Sequence, residues 1–293
     1  MLILSTALFG QNPKTQLNKA YKKHTPCQLY GFFQQWQAEI PTITQNEFNA
    51  LDNIQQNAYK AFSAFYKPHR TDSIGGSEFG TDIYKNVTFL IVQNQLIINS
   101  SEKVYYTAQD TENYVVAHIN EANIHDSVKT KLLERQNGQL SELVLDNFGP
   151  NHINTFPEYK PVRIDSIGNF RPPVYCNGKF PLYLTSKYEK ILTSFLGNQY
   201  VSLGKGGIMN PAHAKGKSNS KKIFLEKHIH IYYGHWGGYW QLLSYPQVYS
   251  ITFDKDMNYA LIDYRMIYEG GCALLKNEDG NWKIIDVHRT WIE

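Results

Sequence analysis

This sequence predicts an α+β fold: a helix packed on a strongly bent antiparallel sheet in a C-terminal unit, preceded by a unit of mixed helices and β-hairpins. Three observations carry that expectation. From His228 to Glu293 the chain reads as strands in a two-residue alternation, and four of the five tryptophans (Trp236, Trp240, Trp282, Trp291) fall there. Residues 29–65 and 186–196 instead repeat their apolar positions every three or four residues, the period of a helix lying on a core. Between them, six of the 12 prolines crowd into 149–181, where the missing amide donor and fixed φ disfavour long regular elements.

A chain of 293 residues suffices for two domains with cores of their own. The punctuation divides it into 1–11, a truncated signal segment; 12–148, an N-terminal α+β domain; 149–185, a proline-rich connecting arm; and 186–293, a C-terminal α+β domain. Hydrophobic residues at 42% and charged residues at 19% give a globular balance. Aromatics at 14%, with 21 tyrosines, suit both strands and ring-binding surfaces. The net charge is only +3 and no basic stripe interleaves with aromatics, which argues against nucleic-acid binding.

The elements follow in order. Leu2 to Phe9 is an apolar run ahead of Gly10, Gln11, Asn12 and Pro13. It is shorter than the roughly 20 residues of a membrane span and is similar to the back half of a secretory signal. Export, to the periplasm or beyond the cell, is expected, with a buried N-terminal strand as the alternative. Helical periodicity covers 29–65, with Asn46 placed as a cap and Pro68 as the stop. A glycine-rich loop at Thr71–Gly80 leads to three strands, Tyr84–Val92, Gln95–Asn99 and Lys103–Thr107. A helix at Asp126–Gln136 follows, then a short element of undecided type at Leu140–Leu145. Ser186–Leu196 is the cleanest amphipathic helix, ended by Gly197, and a loop rich in glycine and lysine runs from Gly204 to Lys222. In the sheet, Ala260, Ile262, Tyr264, Met266 and Tyr268 mark a buried face, with Asp263 and Arg265 opposite. Asp254–Asp256 and Asn277–Gly280 read as hairpin turns, the second ending in Asp-Gly. Cys27, Cys176 and Cys272 are widely spaced, with no CxxC pair, and read as buried structural thiols with at most one disulfide.

One helix followed by long bent strands that end in GNWKIIDVHRTWIE resembles the nuclear transport factor 2-like superfamily, a cystatin-like α+β cone. The likeness covers Ser186 to Glu293 and rests on element order and on Gly280, Trp282, Lys283 and Ile284. It implies a cone-like C-terminal domain. The superfamily includes isomerases, dehydratases, ligand-binding modules and accessory domains of exported bacterial proteins, so fold alone selects no function.

Four features bear on chemistry. His228 and His230 share a strand face and could be joined by His235 or His213, but no carboxylate completes a ligand set and no metal is expected. Lys215–Ser218 ends like a phosphate-binding loop, yet Pro211 occupies the position of its first glycine, and no cofactor is expected. Asp263, Arg265, Asp286, His288 and Arg289 could form an acid–base pocket. The resemblance implies a His–Asp pair inside such a cone, making His230, Asp263 and His288 the catalytic candidates; cross-strand charge pairing is the weightier explanation. Rings spaced by glycines offer a stacking platform, with Tyr232, Trp236, Tyr239, Trp240 and Arg265 as candidate binding residues, or else they fill the core around a bend.

The expected function is an exported, non-catalytic module that binds a small molecule, a glycan or a protein. The alternatives are a small-molecule lyase, isomerase or hydrolase using a His–Asp pair in the C-terminal cavity, and a structural homodimer or assembly subunit. No nucleic-acid partner and no membrane span are expected. An enzyme predicts a histidine and a carboxylate converging in a deep pocket, a binder predicts rings with few titrating groups, and an assembly subunit predicts a flat apolar face.

Overall fold

The computed structural model describes residues 12–74, 83–107, 110, 158–176, 178–197, 217–233 and 240–292. The apolar run 2–9, the helix expected at 126–136, the element at 140–145, most of the loop from 204, and Trp236 and Tyr239 lie outside them. The α+β class holds. Helices α1 (Pro13–Lys22), α2 (Pro26–Glu39), α3 (Gln45–Asn49) and α4 (Asn53–Phe65) come first. Strands β1 (Phe89–Gln93), β2 (Leu96–Ser101), β3 (Val162–Ile167) and β4 (Phe180–Leu184) precede helices α5 (Ser186–Leu196) and α6 (Lys217–Leu225). The chain closes with β5 (Tyr232–Tyr233), β6 (Trp240–Gln241), β7 (Gln247–Asp254), β8 (Tyr259–Met266), β9 (Glu269–Glu278) and β10 (Asn281–Ile292). Lys103–Thr107, expected as a strand, is irregular. Among the described residues no helix is long and apolar enough to cross a membrane.

The helix starts follow from side-chain acceptors. Asn12 caps α1, with Pro13 at its first position, where a missing amide costs nothing. Asp52 caps α4 by accepting from the Gln55 N–H at 2.8 Å. Asn46, expected to cap, lies inside α3, because Thr44 and Glu47 stand at the spacing of a reciprocal capping box and form one.

The main sheet has six strands in the order β10-β9-β8-β7-β2-β3. Every pairing is antiparallel except the parallel β2–β7 contact. Register shifts at Ile284/Asp286, Arg289/Trp291, Ile98/Asn99 and Val248/Ser250 bend it, and it stays open. The segments that composition separates therefore meet in one sheet: β2 comes from the N-terminal stretch, β3 from the proline-rich arm and the rest from the C-terminal stretch. Its covering helix is also not the one expected. Ala58, Phe62 and Phe65 of α4 pack with Ile251, Phe253, Ile262 and Trp282 in the first core. The stripe of α5 (Tyr188, Ile191, Leu192, Phe195 and Leu196) enters a second core with Leu17, Phe32, Trp36 and Leu182.

The parallel pair β1–β4 forms the wall between these cores. Leu90 and Val92 point into the first, Phe89 and Ile91 into the second; in β4, Tyr183 and Leu182 divide the same way. A strand buried on both faces reads as an unbroken apolar run, which is the pattern of FLIVQ.

The turns match residue chemistry, with one departure. Asp279 (φ 52°) and Gly280 (φ 83°) form the two-residue connection from β9 to β10, both in the left-handed region that Asp-Gly tolerates. Between β8 and β9 a turn at Ile267–Tyr268 carries no sequence signal. Ile267 sits at φ 51°, a strained conformation for a β-branched residue, and its carbonyl accepts from Arg265 Nε at 2.8 Å. Ala260, Ile262, Tyr264 and Met266 do form the buried face, whereas Tyr268 belongs to this turn. Beside it, Gly271 has no room for a side chain: a Cβ would lie 2.4 Å from the His288 carbonyl oxygen and 2.7 Å from the Tyr264 hydroxyl.

Candidate ligand-binding groove

A concave groove of about 600 Å³ opens where α3, α4, the 173–175 segment and the β9–β10 turn converge. That volume lies within the range of small-ligand sites. Its apolar floor is Ile43, Phe48, Tyr59, Ala64 and Trp282; Lys60, Ser63, Gln45, Asn281 and Tyr175 stand around it.

Each wall has a local cause. The α3 wall is set by the capping box, in which the Thr44 N–H donates to Glu47 Oε2 at 2.7 Å. That backbone donor, followed by Arg171, holds the Glu47 carboxyl down to about 2. The opposite wall is the end of the proline-rich arm, tied down at several points. Arg171 donates to the Pro41 carbonyl (2.9 Å) and to Glu47 Oε1 (2.7 Å), and its backbone N–H donates to the Tyr59 hydroxyl (3.2 Å). The Tyr183 hydroxyl donates to the Pro172 carbonyl at 2.5 Å. Burial raises the Tyr59 and Tyr183 hydroxyls above their ordinary values, so both stay protonated. Trp282 closes the floor; its Nε1 donates to Asn57 Oδ1 of α4 at 3.2 Å. On α4, Tyr59 and Ser63, and likewise Lys60 and Ala64, are four residues apart and so face the same side. Among the described residues no histidine or carboxylate lines the groove.

None of the sequence-predicted site residues that the structure describes lines it either. His230 packs between the rings of Tyr84 and Tyr232, at centroid distances of 6.1 and 4.2 Å, and burial lowers its pKa. Tyr232 packs against the first core, 5.2 Å from Tyr245, with the Tyr84 hydroxyl close to its own. Trp240 belongs to the second core and donates to the Gly197 carbonyl at 2.7 Å. The described rings of the proposed platform thus pack on cores, Tyr232 on the first and Trp240 in the second. Arg265 bonds within its own turn.

Asp263 and His288 lie on the sheet face turned away from α4, in a register row Ser250–Asp263–Cys272–His288 across β7 to β10. His288 Nε2 bonds Asp286 Oδ2 along β10, and the Ser250 hydroxyl donates to Asp263 Oδ2 at 2.9 Å from β7 to β8. Val104 and Tyr159 pack on this face with Cys272, whose thiol burial pushes up to about 12. Cys27, expected to be buried, is exposed; all three cysteines are free. Among the described residues no group of three or more His, Cys, Asp or Glu could hold a metal ion.

Asp263 gives a pH test. Burial raises its carboxyl above the ordinary 3.8, outweighing the Ser250 bond. The fold therefore prefers the protonated form, and stability is lost as pH rises from the ordinary value through the raised one. Asp263→Asn, which keeps an acceptor for Ser250, is expected to be more stable than the parent at neutral pH. Its advantage should vanish below the ordinary carboxylate range, as read by urea unfolding across pH.

Lys60, Ser63, Tyr175 and Asn281 escaped the sequence reading because nothing in a helix's polar face or a proline-rich arm marks residues that will meet across a fold. Comparison with protein-family models, with curated proteins and with solved structures gives no match.

Proposed function

We propose that this protein is a non-catalytic binding protein and that the groove between α3, α4, Tyr175 and the β9–β10 turn is its ligand site. One observation supports this: a concave site of about 600 Å³ with an aromatic floor and polar rim, with no histidine or carboxylate among its described lining residues. Proton transfer needs an acid or base within hydrogen-bond reach of a bound substrate. The bonded His288–Asp286 pair sits on the other face of the sheet, away from Trp282 and the groove. The apolar run 2–9 supports placing the binding outside the cytoplasm.

The test fills the groove. Ser63 is a partly exposed side chain on α4, and Ser63→Trp puts an indole where the ligand would sit. Ligand-observed NMR with a library of small polar aromatics and saccharide fragments is expected to give hits with the parent that disappear with a folded Ser63→Trp variant. Hits that bind both proteins equally would place the site elsewhere.

A further inference from the structure

We infer that the groove takes an acidic sugar, a pyranose bearing a carboxylate; this rests on the groove being the binding site. The first support is Tyr175. The residue is 77% exposed, unusual for so large an apolar surface, and sits at the groove wall two positions after Pro173. The bonds to Arg171 and Pro172 fix that arm, so the ring is held out by structure. A flat, exposed ring suits the C–H face of a pyranose.

The second support is the set of polar groups with nothing to do. Lys60 Nζ, the Ser63 hydroxyl and the Asn281 amide have no hydrogen bond or ion pair to any described residue, whereas the neighbouring Gln45 amide already donates to Asn49 at 2.7 Å. An ammonium, a hydroxyl and an amide around one ring are the donors and acceptors that neighbouring sugar hydroxyls and a carboxylate require. The third is sign. Among the described residues that line the groove Lys60 alone is charged, and the Glu47 carboxylate of the α3 wall is already held by Arg171 at 2.7 Å. An anionic ligand is therefore favoured over a cationic one.

A proline-rich peptide fits less well, since such chains dock on rows of exposed rings. Trp282 and Tyr59 are only 6% and 2% exposed, which leaves Tyr175 nearly alone.

Titration of the full chain with a galacturonic acid trisaccharide and with the galactose trisaccharide of the same linkage tests this. The acidic sugar is expected to bind more tightly, and more so at low salt. Tyr175→Ala should weaken both by about tenfold, the scale of a lost aromatic contact. Lys60→Gln should erase the preference for the acid, roughly threefold for an exposed charge, and leave the neutral sugar unchanged. Both positions are exposed, and melting curves check that the variants fold. Equal affinity for the two sugars, no binding of either, or indifference to Tyr175→Ala overturns the inference. If the sugars fail while library hits are still lost in Ser63→Trp, only the sugar class is wrong; if those hits persist, the groove itself is not the site.

Discussion

Replacing Trp282 by alanine is expected to cost about 3–5 kcal/mol of unfolding free energy, as large-to-small changes of buried aromatics do. The indole packs 5.4 Å from Phe253 and bonds Asn57, so it fastens α4 to the first strand turn of β10. Truncation opens a void between helix and sheet and leaves Asn57 Oδ1 without its donor. Trp282→Phe separates the two effects. It keeps most of the packing and should cost about 1–3 kcal/mol, the penalty of an unpaired buried acceptor. Urea unfolding of both variants gives the comparison. A loss below about 1 kcal/mol for alanine would mean that the indole does not join the two layers.

Trp36→Ala is expected to be of similar size, about 3–5 kcal/mol, in the other core. Trp36 is fully buried, stacks on Tyr188 with 4.3 Å between centroids and 3° between planes, and donates to the Tyr183 carbonyl at 3.0 Å. One side chain thereby connects α2, α5 and β4. Because β1 and β4 give side chains to both cores, the damage should spread to the sheet: far-UV dichroism and tryptophan fluorescence should still report one coincident, destabilised transition. Two separated transitions would show that the cores unfold independently.

Much of this architecture was legible in the residues. The Asp279–Gly280 turn, the buried alternation from Ala260 to Met266, the stripe of α5 and the strands Phe89–Gln93 and Leu96–Ser101 follow from local periodicity and turn chemistry. The first of those strands, expected to begin at Tyr84, starts later because the chain forms a turn there. What periodicity does not carry is partnership. The stripe on α5 says that the helix lies on something apolar; it does not distinguish the sheet from Trp36 and Phe32. Likewise β2 and β3 carry no mark that they will extend the C-terminal sheet, since the parallel β2–β7 pairing joins residues about 150 positions apart.

The site was less legible than the fold for the same reason. Tyr232 and Trp240 drew attention as rings spaced by glycines, a local pattern, and they fill cores. Lys60, Tyr175 and Asn281 come from three distant stretches and become neighbours only because Arg171, Tyr183 and Trp282 bind those stretches together. Asp263, Asp286 and His288, grouped in the sequence as a possible acid–base set, do share the outer face of the sheet. But His288 bonds Asp286, and Asp263 accepts from Ser250, a residue that nothing in the sequence singled out, on a surface that the groove's lining does not include.

The most direct test labels the five tryptophans with 5-fluorotryptophan and follows their ¹⁹F resonances, that of Trp282 assigned through Trp282→Phe, as compounds that bind the protein are added. Movement of the Trp282 signal, with those of Trp36 and Trp240 still, is the expected result. A ligand that shifts Trp240 and leaves Trp282 unmoved would contradict the account and return the site to the glycine-spaced rings.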